Sequence, residues 1–341
     1  MTIARGMLLQ SAQFDRFISA ATGASGLVAA DRIVVCGTHR SGTTLLGDLL
    51  SADPRTAQLF EPFSPLSGIA CVDRWYASAD RAGSRWRHVI DDYVAGRNTK
   101  WRTRRDETPN LSRWFKGTPM LREYVAARVR RPQRIVVKCP YLTLSAQYLI
   151  EQHDFRALFT VRHPGAFLAS LRRVQWDAAV WLDDLVEQES CSREERAMAT
   201  TEAAQAGLLW RIVNRHALET QRRFPNSAVL LSHEDFCADP HGEMDRVTRA
   251  LGIAYSSKMR EAVTHATGGD IVIPPEGKVE HLVRNASAMV GEWRHRVSAR
   301  DEAELRQICE PLYRELVGTD WLGRRLVALD QECETSKATA R

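Results

Sequence analysis

A glycine-rich loop is the stretch of this sequence whose residue types and spacing most clearly indicate chemistry. Residues 32–50 read RIVVCGTHRSGTTLLGDLL, in which an apolar run leads to Gly37-x-x-x-x-Gly42, two threonines and a helical pattern. This order of strand, glycine loop and helix is typical of loops whose backbone N–H groups hold a phosphate. The lysine that usually follows the second glycine is absent, and Arg40 lies inside the loop instead. The loop therefore predicts a phosphate-bearing ligand that is bound without that lysine.

Positively charged residues also follow two other apolar runs. RIVVK ends at Lys138, and FRALFTV is followed by Arg162. Apolar strands that alternate with helices form parallel sheets covered on both faces, and ligands of such sheets bind beyond the carboxyl ends of the strands. A single cation after a strand is usually a solvated loop residue. Three of them, Arg40, Lys138 and Arg162, at neighbouring strand ends predict an anion-binding site.

The residues after the fourth apolar run do not fit a magnesium site. An enzyme that uses a nucleoside triphosphate usually has an aspartate at one strand end to help hold Mg²⁺. AVLLS (228–232) is followed by His233, and the acids Glu234 and Asp235 come only after it. The sequence therefore predicts an anionic ligand that is handled without a metal ion.

A second anion site is predicted at the start of the helix that follows the third strand. Pro164 begins this helix, and Ser170 lies eight residues after Arg162, about two turns along it. A guanidinium and a helix hydroxyl placed in this way can bind one phosphate together. For Ser170 alone, packing at a helix interface is an equal alternative. Two separate sites suit a ligand with phosphates at two points, whereas ATP carries its phosphates at one end.

The elements that must hold these residues form an α/β pattern. The fold class predicted is a three-layer, P-loop-like fold with a central parallel sheet flanked by helices. The predicted strands are 32–37, 134–138, 155–161 and 228–232, with a short apolar piece at 56–60. The predicted helices are 43–52, 119–130, 142–152, 165–173, 175–224 with a polar break near 190–196, 241–252 and one capped by Ser298. Residues 1–330 are expected to form a single domain, in which 70–118 and 175–205 are insertions for an acceptor pocket or lid, and 331–341 a flexible tail.

Composition narrows the class of protein. The chain has 341 residues, 44% of them hydrophobic, and a formal net charge of +5, which is ordinary for a globular protein and suits an anionic ligand. No apolar run approaches the ~20 residues of a membrane span, so none is expected. Seven cysteines without a Cys-x-x-Cys pair indicate a reduced, cytoplasmic protein. Acids interrupt the arginines of 81–105, so nucleic acid is not an expected partner. A monomer and a homodimer both remain open.

At these residues the sequence resembles the sulfotransferases that use 3′-phosphoadenosine 5′-phosphosulfate (PAPS). RSGTT (40–44) resembles the family's 5′-phosphosulfate loop, and Arg162 with Ser170 its 3′-phosphate motif. VVKCPYL, LLSHEDFCADP and SAMVGEWRHRVS resemble later blocks, so the resemblance runs from about residue 32 to 315. It implies PAPS as co-substrate and no required metal. The donor-binding residues it implies are His39, Arg40, Ser41, Gly42, Thr43, Thr44, Arg162, Ser170, Ser287, Trp293 and Arg294.

The resemblance also implies the catalytic residues. The phenol and steroid branch has a histidine shortly after the strand lysine, where this chain has Cys139 and Tyr141. The chain is therefore closer to the bacterial, carbohydrate and tyrosyl-protein branches, which place a glutamate soon after the phosphate loop. Glu61 is expected to be the general base, and Arg40 and Lys138 to stabilise the leaving side. His39 remains an alternative base.

The function implied is transfer of a sulfuryl group from PAPS to a hydroxyl of a small-molecule, lipid or carbohydrate acceptor, as in bacterial secondary metabolism or glycan modification. Two alternatives stay open. One is an ATP-dependent P-loop kinase of small molecules, which would need the loop lysine and an acid that holds a metal ion. The other is a non-catalytic relative that only binds a nucleotide or a glycan.

Overall fold

A five-stranded parallel sheet organises the part of the chain that the structure describes. The structure is a computed structural model and describes residues 26–27, 29, 31–97, 99–102, 119–269 and 290–323. The strands are β1 (Asp31–Gly37), β2 (Thr56–Phe60), β3 (Arg134–Lys138), β4 (Phe155–Val161) and β5 (Ala228–Ser232). The helices are α1 (Thr43–Ser51), α2 (Trp86–Ala95), α3 (Pro119–Arg130), α4 (Ala146–His153), α5 (Pro164–Val174), α6 (Ala178–Glu187), α7 (Arg193–Met198), α8 (Glu202–Arg223), α9 (His233–Ala238), α10 (Pro240–Ala250), α11 (Ser257–Thr267) and α12 (Ala299–Val317).

The order of the strands places the glycine loop at the centre of one sheet edge. The order is β2-β3-β1-β4-β5, and each neighbouring pair is parallel. The predicted parallel sheet is thus confirmed, and β1 lies between the strands that end at Lys138 and just before Arg162. Residues 56–60, expected only as a short apolar piece, form the edge strand β2 because they pair with β3 from Thr56 to Phe60.

Two apolar cores cover the two faces of the sheet. Successive side chains of a strand point to opposite faces. Val34 and Cys36 of β1 belong to the larger core, which also contains buried residues of α5, α6 and α8. Ile33 and Val35 belong to the second core, with residues of α1, α10 and α11. The predicted three-layer arrangement is therefore confirmed.

Several helical segments differ from the sequence prediction. The helix expected over 142–152 begins with a 3₁₀ turn, Pro140–Ser145, in which the Thr143 hydroxyl accepts a hydrogen bond from the Gly37 backbone N–H at 2.8 Å. Helices α2, α9 and α11 were not predicted, although α2 and α11 have apolar residues at helical spacing. The polar break expected near 190–196 contains the short helix α7, which Ser192 and Glu195 begin with reciprocal capping hydrogen bonds.

The proposed insertions are only partly visible. Helix α2 lies in 70–118, where Trp101 also forms an antiparallel bridge with Ile69 just before that range, and α6 and α7 lie in 175–205. Residues 103–118 and the tail 331–341 lie outside the described residues. The boundaries of a single domain therefore stay a prediction. Among the described residues, no helix is both long enough and apolar enough to cross a membrane.

A substitution at Gly37, where β1 enters the loop, tests how closely β1 and β4 approach each other. Its φ is 136°, and a Cβ there would collide with the backbone carbonyl and the hydroxyl of Thr160. We expect Gly37→Ala to lower the free energy of unfolding by about 2–5 kcal/mol, from backbone strain and overpacking together. Gly83→Ala is the matched control, because Gly83 also has a positive φ, 74°, but no atom within 4 Å of the added Cβ. Its cost should be only about 1–2 kcal/mol, and equal losses in urea unfolding of both variants would contradict the close approach.

Candidate active site

The glycine loop connects β1 to α1 through two residues with left-handed backbone conformations. Arg40 has a φ of 66°, and Gly42, the residue before the helix, has a φ of 101°. Gly42 has no side chain to cap the first turn of α1. The N–H groups at a helix start lack intrahelical partners and carry the positive end of the helix dipole, which favours an anion there.

Side chains inside the loop hold its shape rather than face outward. The Ser41 hydroxyl donates to the Thr38 carbonyl at 2.5 Å and also contacts the Thr160 hydroxyl on β4. Ser41 and Thr43 are both buried. Their predicted role in binding the donor would therefore fall to their backbone N–H groups.

Three predicted residues from two strand ends meet beside the loop. The Arg40 Nε donates to the Ser170 Oγ at 3.2 Å, and the Arg162 guanidinium donates to the Arg40 backbone carbonyl at 3.0 Å. Ser170 is buried on α5, so it packs at a helix interface and also contacts a cation. The structure thus joins Arg40 to Arg162 and Ser170, which lie 122 and 130 residues further along the sequence.

Arg162 is partly buried, and its guanidinium can form further hydrogen bonds. Its Nε is buried and has no hydrogen-bond partner among the described residues. Burial lowers the pKa of Arg162, and the positive charge of Arg173 adds to this effect, whereas Glu234 opposes it. Burying a charge is costly unless it is paired and hydrogen-bonded. An anion beside Ser170 would therefore stabilise this side chain.

Lys138 and Glu61 form an ion pair at the neighbouring strand ends. The register of the sheet sets Phe60 opposite Lys138, so Glu61 follows directly beside the end of β3. The Glu61 N–H donates to the Lys138 carbonyl at 2.7 Å, and the Lys138 Nζ lies 2.5 Å from the Glu61 Oε1. The Lys138 side chain is 2% exposed and that of Glu61 20%. The predicted base is thus the more accessible partner of the pair.

Tyr141 lies within electrostatic range of both groups of charges. Burial raises the pKa of Tyr141 well above its usual value, the Glu61 carboxylate raises it further, and Arg40 lowers it. Because β1 pairs with both β3 and β4, the Glu61–Lys138 pair and the Arg40 cluster lie at neighbouring strand ends. The structure therefore places the predicted base and the three predicted cations along one edge of the sheet.

His39 occupies a position that does not suit a base. It is 2% exposed, its backbone N–H donates to the Tyr76 hydroxyl at 3.2 Å, and its Nδ1 lies 2.8 Å from the same oxygen. Burial, with a smaller effect of Arg40, lowers the pKa of His39 to about 3. A buried imidazole with so low a pKa is a poorer proton acceptor than the partly exposed Glu61 carboxylate, which favours Glu61 over His39.

The turn after Arg162 is fixed by a second buried histidine. His163 Nδ1 accepts from the Gly165 N–H at 3.0 Å, and its Nε2 donates to the Trp321 carbonyl, 3.1 Å away. The Trp293 indole stacks on the imidazole with centroids 4.3 Å apart, and Arg294 lies 5.4 Å from the Trp293 ring. Trp293 is buried and packs against this turn, so its predicted contact with the nucleotide stays a prediction, as does that of Arg294. Ser287 lies outside the described residues.

Glu234 has a role in the site that the sequence prediction missed. Its carboxylate accepts from the His163 backbone N–H at 3.0 Å, and burial raises its pKa. The sequence prediction considers the acids after β5 only as metal ligands. Their spacing does not indicate that one of them turns inward toward β4. Within the described ranges, no group of three or more His, Cys, Asp or Glu side chains is placed to hold a metal ion.

Comparison with known proteins identifies a family model, described as the sulfotransferase family, that matches residues 32–257. The chain is similar to the solved sulfotransferase domain of the Synechococcus olefin synthase, with 17% identity, 84% and 96% of the two chains covered and a TM-score of 0.46. It is also similar to the sulfotransferase domain of the curacin biosynthetic pathway, with 14% identity, 85% and 99% of the two chains covered and a TM-score of 0.43. A third similar structure is mouse SULT7A1 complexed with PAP, with 12% identity, 89% of each chain covered and a TM-score of 0.40. No curated protein sequence matches the chain significantly.

The two buried histidines make stability depend on pH in a defined direction. Burial lowers the pKa of His163, like that of His39, from 6.5 to about 3. Between these values the unfolded chain binds more protons than the folded one, so the free energy of unfolding falls as the pH falls below 6.5. Each histidine should contribute a slope of about 1.4 kcal/mol per pH unit. In urea unfolding at pH 7, 6 and 5, His163→Gln should remove one such contribution, and an unchanged slope would contradict a neutral, buried His163.

Proposed function

This chain belongs to the sulfotransferase family, and we propose that it transfers the sulfuryl group of PAPS to a hydroxyl of a small-molecule, lipid or carbohydrate acceptor, without a metal ion. The observation that carries the proposal is the meeting of Arg40, Ser170 and Arg162 beside the glycine loop. It supports a ligand with one phosphate at the loop and another at the start of α5. PAPS carries anionic groups at two such separated positions.

The donor is proposed to bind through two sets of residues. The backbone N–H groups of residues 41–44 would hold the 5′-phosphosulfate at the start of α1. Arg162 and Ser170 would hold the 3′-phosphate, and the unpartnered Nε of Arg162 supports this assignment. Arg40 links the two sets, because it lies in the glycine loop next to Ser41 and also contacts Arg162 and Ser170.

The chemistry proposed is an in-line displacement at sulfur. A bond forms between the acceptor oxygen and sulfur, the bond from sulfur to the 5′-phosphate oxygen breaks, and adenosine 3′,5′-bisphosphate leaves. By analogy with phosphoryl transfer, the transition state is loose and its negative charge gathers on the leaving side. Arg40 and Lys138 would stabilise that charge, and Glu61 would take the proton of the acceptor hydroxyl.

The Glu61–Lys138 pair suits this division of roles. A buried lysine needs an anionic partner, and Glu61 supplies it at 2.5 Å. When a phosphosulfate lies against Lys138, the ammonium gains a second anionic partner, and the Glu61 carboxylate can share its hydrogen bonds with an acceptor hydroxyl. The presence of this ion pair favours an enzyme over a relative that only binds a nucleotide or glycan.

The kinase alternative has less support. It would need a loop lysine where the chain has Ser-Gly-Thr-Thr, and an acid at a strand end where β3 ends in Lys138 and β4 leads to Arg162. We also propose a reducing, cytoplasmic location, in line with the six free cysteines of the described ranges, five of which are buried. The state of assembly stays open between monomer and homodimer.

Nucleotide binding tests the proposed donor site. Adenosine 3′,5′-bisphosphate should bind more tightly than ATP with Mg²⁺ in isothermal titration calorimetry. Ser170→Ala should weaken the bisphosphate by about 10–100-fold, since a hydrogen bond to a charged group contributes about 1.5–3 kcal/mol. Adenosine 5′-monophosphate, which lacks the 3′-phosphate, is the matched control. Its affinity should change little in Ser170→Ala. Tighter binding of ATP, or equal losses for both adenylates, would argue against the proposal.

Glu61→Gln tests the proposed base. With an acceptor found by the mass gain of one sulfuryl group, kcat should fall by about 10²–10⁴-fold, because the amide cannot take the proton. Affinity for adenosine 3′,5′-bisphosphate should stay nearly the same. Glu189→Gln, at an exposed glutamate paired with Arg81, is the control and should keep its turnover. Unchanged turnover of Glu61→Gln would remove this residue from the mechanism.

A further inference from the structure

A cluster of aromatic rings surrounds His39 directly beside the proposed catalytic residues. The ring nearest to the imidazole is that of Trp181, with centroids 4.2 Å apart, and that of Phe167 follows at 5.4 Å. We call this set the aromatic cluster; its members are Trp75, Tyr76, Tyr141, Phe167, Trp176 and Trp181. The glycine loop therefore has an aromatic wall on the side that faces α5 and α6.

The aromatic cluster reaches both proposed reacting groups. The Trp176 ring lies 5.7 Å from the Arg40 guanidinium. Tyr141, which is within electrostatic range of Glu61 and Arg40, has its ring centroid 4.5 Å from that of Trp75. An acceptor whose hydroxyl lies near Glu61 would therefore have these rings as neighbours.

Two members of the aromatic cluster are open to a ligand. Tyr76, Tyr141, Phe167 and Trp181 are buried, whereas Trp75 and Trp176 are only partly buried. Partly exposed indoles beside a catalytic centre offer flat apolar faces, which bind flat or apolar ligand surfaces. Trp75 and Trp176 are thus the residues against which an acceptor would pack.

The arginines near the aromatic cluster are not arranged to receive an anionic acceptor. Each one that the structure describes in 74–87 already has a protein partner. Arg74 pairs with Asp184 and Glu187, Arg81 with Glu189, Arg85 with Asp73, and Arg87 donates to the carbonyls of Ala79 and Asp80. These contacts hold the segment against α6 and offset its positive charge. An acceptor that carries its own negative charge would gain little from them.

His39 adds one polar group to this apolar wall. Its Nε2 is buried and has no hydrogen-bond partner among the described residues. Buried polar atoms without a partner are rare in folded proteins. A hydroxyl of a bound acceptor that reached between the rings would pair with this nitrogen, since a hydroxyl both donates and accepts. A sugar would bring several hydroxyls that need partners of their own.

We propose that the acceptor is an uncharged alcohol or phenol whose hydroxyl is attached to a flat apolar ring, and that this ring packs against Trp75 and Trp176. This inference rests on the proposed sulfuryl transfer and names the acceptor class for the same site. It favours an apolar ring over a polyhydroxylated sugar because the wall is aromatic. It favours an uncharged ring because the arginines of 74–87 already have protein partners, and Arg40 is assigned to the donor.

Three probes test the acceptor class on the full chain saturated with adenosine 3′,5′-bisphosphate. They are a naphthol, the same naphthol carrying a carboxylate, and methyl glucoside, each measured by saturation-transfer NMR and then, with PAPS, by mass gain. The naphthol should bind at least about tenfold more tightly than the other two and should be sulfated. Stronger binding and turnover of the glucoside or the carboxylate would overturn the inference, and so would binding of none of the three.

Variants at tryptophans locate the binding surface. Trp75→Ala should weaken naphthol binding about tenfold and leave the affinity for adenosine 3′,5′-bisphosphate unchanged, since Trp75 does not contact the Arg40 cluster. Trp176→Ala should weaken it similarly. Trp101→Ala is the control, because Trp101 packs on Tyr93 and Tyr124 instead. Equal effects of Trp75→Ala and Trp101→Ala would overturn the inference.

Different results would overturn the sulfotransferase proposal and the acceptor inference. If adenosine 3′,5′-bisphosphate does not bind, the sulfotransferase proposal fails, and the acceptor inference fails with it. If the bisphosphate binds and a sugar or anionic ring is the better acceptor, only the acceptor inference fails and the transfer reaction stands.

Discussion

The close parallel packing of β1 between β3 and β4 is the constraint on which the rest of the structure depends. It sets the glycine loop between Lys138 on one side and Arg162 on the other. Because all the strands run in the same direction, each one delivers its last residue to the same edge. Gly37 allows this packing, since any side chain there would meet Thr160. The cationic character of the edge thus follows from strand direction and from one residue without a side chain.

Buried charge is the second organising feature. Lys138 is almost fully buried and is paired with Glu61, whereas Arg162 is partly buried, has an unpartnered Nε and is opposed by the charge of Glu234. Charges in a low-dielectric interior need compensation, so the two cations differ in how much they would gain from a bound anion. The edge of the sheet is therefore asymmetric, with a compensated cation beside the proposed base and a less compensated one beside Ser170.

The parts of this structure that the sequence predicted are those set by local pattern. Strands β1, β3, β4 and β5 were predicted because each is a short, mainly apolar run. Helix α2 was not predicted, although its apolar residues recur at helical spacing from Trp86 to Val94, because the run is short and lies in a segment rich in arginine and tryptophan. The contact between Glu61 and Lys138 depends on the register of an edge strand, which no spacing in the sequence specifies. The inward turn of Glu234 likewise depends on where β5 lies beside β4.

His163 ties the turn after Arg162 to residues that are synthesised much later. The five strands are complete once Ser232 has been made, but the Nε2 of His163 is satisfied only by the carbonyl of Trp321, and its ring is covered by Trp293. On the ribosome, the sheet can therefore assemble well before this turn is locked. A nascent chain that ends between β5 and α12 would therefore lack the carbonyl that holds the His163 ring, and the turn would gain this support only when Trp321 packs against it.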